Sequence, residues 1–209
     1  MNLQRFKTAQ DEFLSQFPGG FSNPLMQQAG KKHQLALRTQ QAQAWFAPEQ
    51  FGYPQQIAEH MVTLIRRSSM ISMYEKPRLR DWVHAMTPQE RESYAFSLNE
   101  ILHGNQASGF QLMIDLLSPA KLAKWSLVTI LPYYFAPQEE VFMKPNTTKG
   151  VIRYFELEGL KYTPTPDYEF YRRYRQQILE MRQQADPSLQ YDNAAFTGFL
   201  MMALKSLAK

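Results

Sequence analysis

Repeatedly in this chain a residue suited to capping a helix stands directly before proline, as in Asn23-Pro24, Thr87-Pro88, Ser118-Pro119 and Thr165-Pro166. Proline has no N–H to donate and its fixed φ suits the first helical turn, whereas inside a sheet it removes a ladder bond. A chain punctuated in this way is committed to helices. Thr87-Pro88-Gln89-Glu90 is the clearest start, because Thr87 can cap while Glu90 reaches back to it. Apolar residues recur at three-and-four spacing, as in Leu3, Phe6, Phe13, Leu14 and Phe17 before Pro18-Gly19-Gly20 ends the run. No stretch alternates as a strand does. Met70 to Tyr74 and Lys161 to Thr163 come nearest and are too short to build a sheet.

The pattern predicts an all-α protein, a single globular domain of about ten helices. Helices are expected near 2–17, 31–46, 54–70, 76–85, 88–103, 107–117, 119–131, 138–144, 147–158, 166–184 and 192–207. The run Ala194 to Leu204, AAFTGFLMMAL, carries no charge on any face and is expected at the centre. If two copies of the chain pair, Met201 and Met202 are the expected seam. Trp125 to Phe135 is equally apolar, with Pro132 expected to break it. The aromatics of Phe17 to Phe21 and of Tyr133-Tyr134-Phe135 stand beside helix breakers and are expected to tuck into the core.

Charge and composition exclude more than they indicate. The 209 residues carry a formal net charge of +4, spread as +2 on residues 1–100 and +2 on 101–209, so no basic tail or acidic block announces a partner. The absence of cysteine excludes disulfides, thiolate metal sites and cysteine catalysis. The start, MNLQRFKTAQDEF, has neither a secretory apolar core nor a myristoylation glycine, so a cytoplasmic location is expected. Asn146-Thr147-Thr148 matches the glycosylation sequon and, without an export signal, reads as chance. The longest apolar runs fall short of the roughly 20 residues a membrane-crossing helix needs, so no membrane partner is expected.

Candidate metal and catalytic groups do not assemble. Asp81 with His84 and Glu100 with His103 have the i, i+3 spacing used by bundle metal sites. At about 100° per residue, however, each pair falls opposite its helix's apolar face and points to solvent. His33 and His60 have no ligand-spaced partner. Nucleophile elbows, S-x-x-K and glycine-rich phosphate loops are all missing. No catalytic residue, metal or cofactor is assigned.

The stretch from Lys144 to Arg175 is the richest in signals. VIRYFELEGLKYTP resembles the recognition helix and exit of winged-helix DNA-binding domains, in which hydrophobic-x-x-L-E-x-x-G-L is common; Phe155, Glu156, Gly159 and Leu160 sit on that pattern. The resemblance covers barely a tenth of the chain, and Thr163-Pro164-Thr165-Pro166 leaves no room for a wing. It implies a nucleic-acid-binding unit within 138–164. Val151, Ile152 and Phe155 share an inner face, and Lys149 with Arg153 lies outside where phosphates could be met. On the following helix Tyr168, Tyr171, Tyr174, Ile178 and Met181 form an apolar arc. Arg172 and Arg173 lie outside that arc within reach of Glu169. Arg175 and Arg182 fall inside it, where an arginine must snorkel, stack on a ring or find an anion.

Three functions follow, in this order. The first is a protein-interaction or regulatory module whose partner is another protein or a second copy of the chain. The second is a nucleic-acid binder acting through Lys149, Arg153, Arg172 and Arg173. The third is a small-anion or ligand binder, or an enzyme, with a pocket near Arg175, Tyr171 and Tyr174.

Overall fold

Pro88 opens a helix over Pro88–His103 with both halves of the expected capping box in place. The Glu90 N–H donates to the Thr87 hydroxyl at 3.2 Å, and the Thr87 N–H donates to the Glu90 carboxylate at 2.7 Å. Asn23 likewise caps Pro24–Lys31, accepting the Leu25 N–H at 3.0 Å, a short helix the periodicity had not separated. The other two proline signals do not start helices. Ser118-Pro119 lies in the turn that closes Gln106–Leu117, where the Leu122 N–H returns to the Leu117 carbonyl around Lys121 at φ 57°. Thr165-Pro166 stops short, and Asp167 caps Tyr168–Gln183 instead, accepting the Phe170 N–H at 2.8 Å.

The computed structural model describes residues 1–206, so the expected helix end at 207 lies outside it. Its helices are α1 Leu3–Gln16, α2 Pro24–Lys31, α3 Leu35–Trp45, α4 Pro54–Arg67, α5 Glu75–Ala85, α6 Pro88–His103, α7 Gln106–Leu117, α8 Trp125–Phe135, α9 Pro145–Tyr154, α10 Tyr168–Gln183 and α11 Asn193–Ser206. Short 3₁₀ turns cover Gly20–Ser22, Pro48–Gly52 and Pro187–Leu189. The described residues contain no strand, so the fold is all-α as the sequence predicts.

Three expectations are corrected. The helix placed at 119–131 begins only at Trp125, and it runs through Pro132 to Phe135. Proline inside a helix costs about 3 kcal/mol. Here a single turn follows it, and that turn is held by the buried rings of Tyr133 and Tyr134. The helix placed at 138–144 does not form. Val141, Phe142 and Met143 are all buried, and three successive positions cannot share one helix face. The helix placed at 147–158 ends at Tyr154, and Glu156 rather than Gly159 supplies its left-handed closing residue, at φ 53°. The Leu157 N–H then bonds the Ile152 carbonyl at 3.0 Å.

A single apolar cluster extends from Phe6 to Ala203. α8 lies deepest, with every residue from Leu127 to Tyr134 buried. α11 turns Phe196, Phe199, Leu200 and Ala203 inward against α1, α9 and α10, while Met201 and Met202 are half-buried. α6 and α7 pack along each other, joined by the turn at Gly104 and Asn105. Gly109 makes this approach feasible, since a Cβ there would stand 2.6 Å from the Ser97 carbonyl oxygen and 2.7 Å from the Ile101 nitrogen. Both neighbours are backbone atoms and cannot rotate away. Gly109→Ala is therefore expected to lower unfolding stability by about 1–3 kcal/mol in chemical denaturation, despite alanine's higher helix propensity.

Candidate functional site

A turn leaves α8, closed by the Glu140 N–H on the Ala136 carbonyl at 2.8 Å, and residues 140–143 then enter the interior outside any helix, so side chains must satisfy their backbone. Thr129 of α8 accepts the Met143 N–H at 3.1 Å, and the Tyr171 hydroxyl of α10 accepts the Val141 N–H at 3.3 Å. Asn193 donates its side-chain amide to the Glu140 carbonyl at 2.9 Å, and Arg182 donates to the Gln138 carbonyl at 3.1 Å. Arg182 also reaches the Asn193 side chain at 2.7 Å. One of the two arginines within the apolar arc of α10 is thus a brace for this segment.

Glu140 is the hub. Its carboxylate is 8% exposed as a residue and accepts the Tyr171 hydroxyl, the Arg175 guanidinium, and the Gln106 amide at 2.9 Å. Arg175 also donates to Gln106 at 3.0 Å and lies 5.3 Å from the Tyr171 ring centre, so it both stacks and finds its anion. Burial works against the charge on Arg175, but Glu140 and Tyr171 outweigh it and hold its pKa above the ordinary arginine value. Burial first, then the Glu140 charge, pushes the Tyr171 hydroxyl well above the ordinary tyrosine range. Phe110 of α7 stacks on the Tyr171 ring at 5.3 Å and 17°. Tyr171 and Tyr174 are each 1% exposed. The Arg175 region therefore presents an internal anion that already occupies the cation.

The four cations of the nucleic-acid reading have separate surroundings. Lys149 and Arg153 project from the exposed side of α9, opposite the buried Val151 and Phe155, as the periodicity predicts. Lys149 lies 5.7 Å from the centre of the Tyr162 ring. Arg172 and Arg173 both hold the Glu169 carboxylate, at 2.8 and 2.7 Å. Those bonds, Arg172 first, draw Glu169 down to about 2. Their contribution is thus present above the ordinary carboxylate pKa and lost as pH falls from there through about 2. Glu156 meets Arg5 at 2.9 Å, tying the start of α1 to the end of α9. No strand follows α9 among the described residues, and the Thr163 carbonyl instead accepts the indole N–H of Trp125 at 2.8 Å.

The candidate metal pairs are also engaged elsewhere. His84 faces Glu59 at 3.2 Å, Asp81 faces Arg80, and His103 bonds the Phe46 carbonyl at 2.8 Å. Glu100 accepts the Asn105 N–H at 3.0 Å.

A surface hollow of about 480 Å³ lies where α6 meets the Pro48–Gly52 turn and the start of α4. Gln55 of α4 donates to the Pro88 carbonyl at 2.8 Å and fixes the two helix starts together. Phe51 is set by an edge-on contact with His103 at 5.7 Å. Phe51, Pro54, Ala95 and Phe96 give the hollow an apolar lining, with Gln89, Glu92, Ser93 and Asn99 beside them. Phe96 is 52% exposed, and Tyr53, between the lining residues Gly52 and Pro54, is 65% exposed. The sequence reading did not single out these residues, though Phe96 falls in the polar arc of α6, opposite Tyr94, Leu98 and Ile101, and could have been noticed there.

No protein-family model, curated protein or solved structure matches the chain. No helix among the described residues is long and apolar enough to cross a membrane.

If Glu140 is the hub, Glu140→Ala leaves Arg175 uncompensated and frees the 137–144 segment. It is expected to destabilise by about 3–5 kcal/mol in denaturant unfolding, the range for breaking a buried ion pair.

Proposed function

We propose that this chain is a protein-interaction module whose working surface is the hollow between α6, the Pro48–Gly52 turn and the start of α4. One observation carries the reading: Phe96, a large aromatic, stands 52% exposed in the wall of a concave, partly apolar site, and Tyr53, 65% exposed, follows the lining residue Gly52 in the chain. Aromatic side chains bury much area at little entropic cost and are enriched at binding hot spots. Gln89, Glu92, Phe96 and Asn99 recur along one line of α6, at the helix's three-and-four spacing. Such a row suits a partner segment lying along the helix. The sole charged lining residue is Glu92, so the favoured partner segment places an apolar side chain against Phe96 and a lysine or arginine against Glu92.

Panning a displayed peptide library against the immobilised protein tests this. The expected result is a consensus pairing an apolar residue with a nearby Lys or Arg. Phe96→Asp should weaken binding of those peptides by at least about tenfold, the scale of losing one anchor, with the far-ultraviolet circular dichroism unchanged. Peptides that bind the variant as well as the parent, or a selection with no consensus, would overturn the proposal.

A further inference from the structure

Arg38 on α3 is 8% exposed, yet no carboxylate lies within 4.0 Å of its guanidinium among the described residues. Its two terminal nitrogens donate to the neutral side-chain oxygens of Gln41 at 2.8 Å and Gln34 at 2.7 Å. Its Nε is buried with no partner. The contrast with Arg175 is direct: there the chain supplies Glu140, and here it supplies only amides. A buried guanidinium without an anion is unfavourable, because the charge has lost water and gained no counter-charge.

Hydroxyl groups nearby add a further donor. Tyr134 of α8, close enough for Arg38 to act on its ionisation, shares a 2.7 Å hydrogen bond with Ser68 at the end of α4. The Ser68 oxygen also accepts the Met70 N–H at 3.1 Å. Two hydroxyl protons therefore serve one hydrogen bond within the pair, and one is left to donate outward. Next along the chain, Ser69 meets His33 Nδ1 at 2.8 Å, which brings the loop before α3 onto the same end of α4. Burial, then Lys32 and Lys144 nearby, lowers the pKa of His33.

We propose that this corner, formed by Arg38, Lys32, His33 and the hydroxyls of Ser68 and Ser69, binds a small phosphate-type oxyanion. Spare N–H and O–H donors around an uncompensated guanidinium match the several acceptor oxygens of such an ion. Because Arg38 is buried, a small free ion fits better than the backbone of a nucleic acid, whose phosphates stay on the outside of the duplex. The site is independent of the hollow beside Phe96.

The test is thermal unfolding of the full chain in rising inorganic phosphate, against sodium chloride at matched ionic strength and pH. The expected result is a saturable rise in Tm with phosphate that chloride does not give. Arg38→Gln should abolish it. Should Arg38→Gln not fold, Lys32→Glu decides: this exposed position tolerates the change, and Kd for phosphate by calorimetry should weaken by about tenfold. A Tm that follows ionic strength alone, or a phosphate response unchanged in the variant that folds, would overturn the proposal. Adding short duplex DNA in place of phosphate separates a site for the free ion from a nucleic-acid surface: a larger response to duplex would overturn the small-ion assignment.

Discussion

The structure depends on satisfying the backbone of 137–144, a non-helical stretch of chain whose residues 140–143 are buried. Val141, Phe142 and Met143 enter the core in succession. Each peptide group they bring with them needs a partner, because an unpaired buried amide costs about 1–3 kcal/mol. The partners come from three helices: Thr129 from α8, Tyr171 and Arg182 from α10, and Asn193 from α11. This one segment therefore fixes how the C-terminal helices sit on the deepest helix of the fold. Through Gln106 on Glu140 and Phe110 on Tyr171, the same cluster also orients α7.

That arrangement explains why the tyrosine and arginine residues of α10 form a lock. Tyr171 is buried because its hydroxyl has work on both sides, donating to Glu140 and accepting from Val141. Arg175 can cover apolar surface because its charge ends on Glu140. A neutral residue at either place would leave a polar atom of the other stranded. Arg175 and Arg38 differ in this respect. Arg175 is compensated within the fold, and Arg38 is held by glutamines alone.

Helical content was legible because it depends on local signals. The Thr87 capping box, the stripe of α1 and the glycine-proline breaks act within a few residues, and the structure honours them. The failures share a cause. Ser118-Pro119 and Thr165-Pro166 have the residues of a helix start, yet neighbouring turns satisfy the same backbone groups first. The 137–144 segment was unreadable because its hydrogen-bond partners are distant in sequence, at positions 129, 171, 182 and 193. Sequence reasoning placed Arg175 on the apolar arc but could not reveal Glu140 as its anion, since no periodicity links residues 35 apart on different elements. Arg38 shares the inner arc of α3 with Leu35, Ala42 and Trp45, a signal of the same kind as that for Arg175 and one the spacing did carry.

Native-state hydrogen exchange of the Val141 and Met143 amides tests the central claim most directly. If side chains of α8, α10 and α11 lock this segment into the core, both amides exchange only through global unfolding, with protection equal to that of the α8 amides. In Tyr171→Phe, protection at Val141 should fall more than at Met143, whose partner is Thr129. Exchange of both amides at the rate of exposed loops in the parent protein would contradict the account, because the segment would then lie on the fold without holding it.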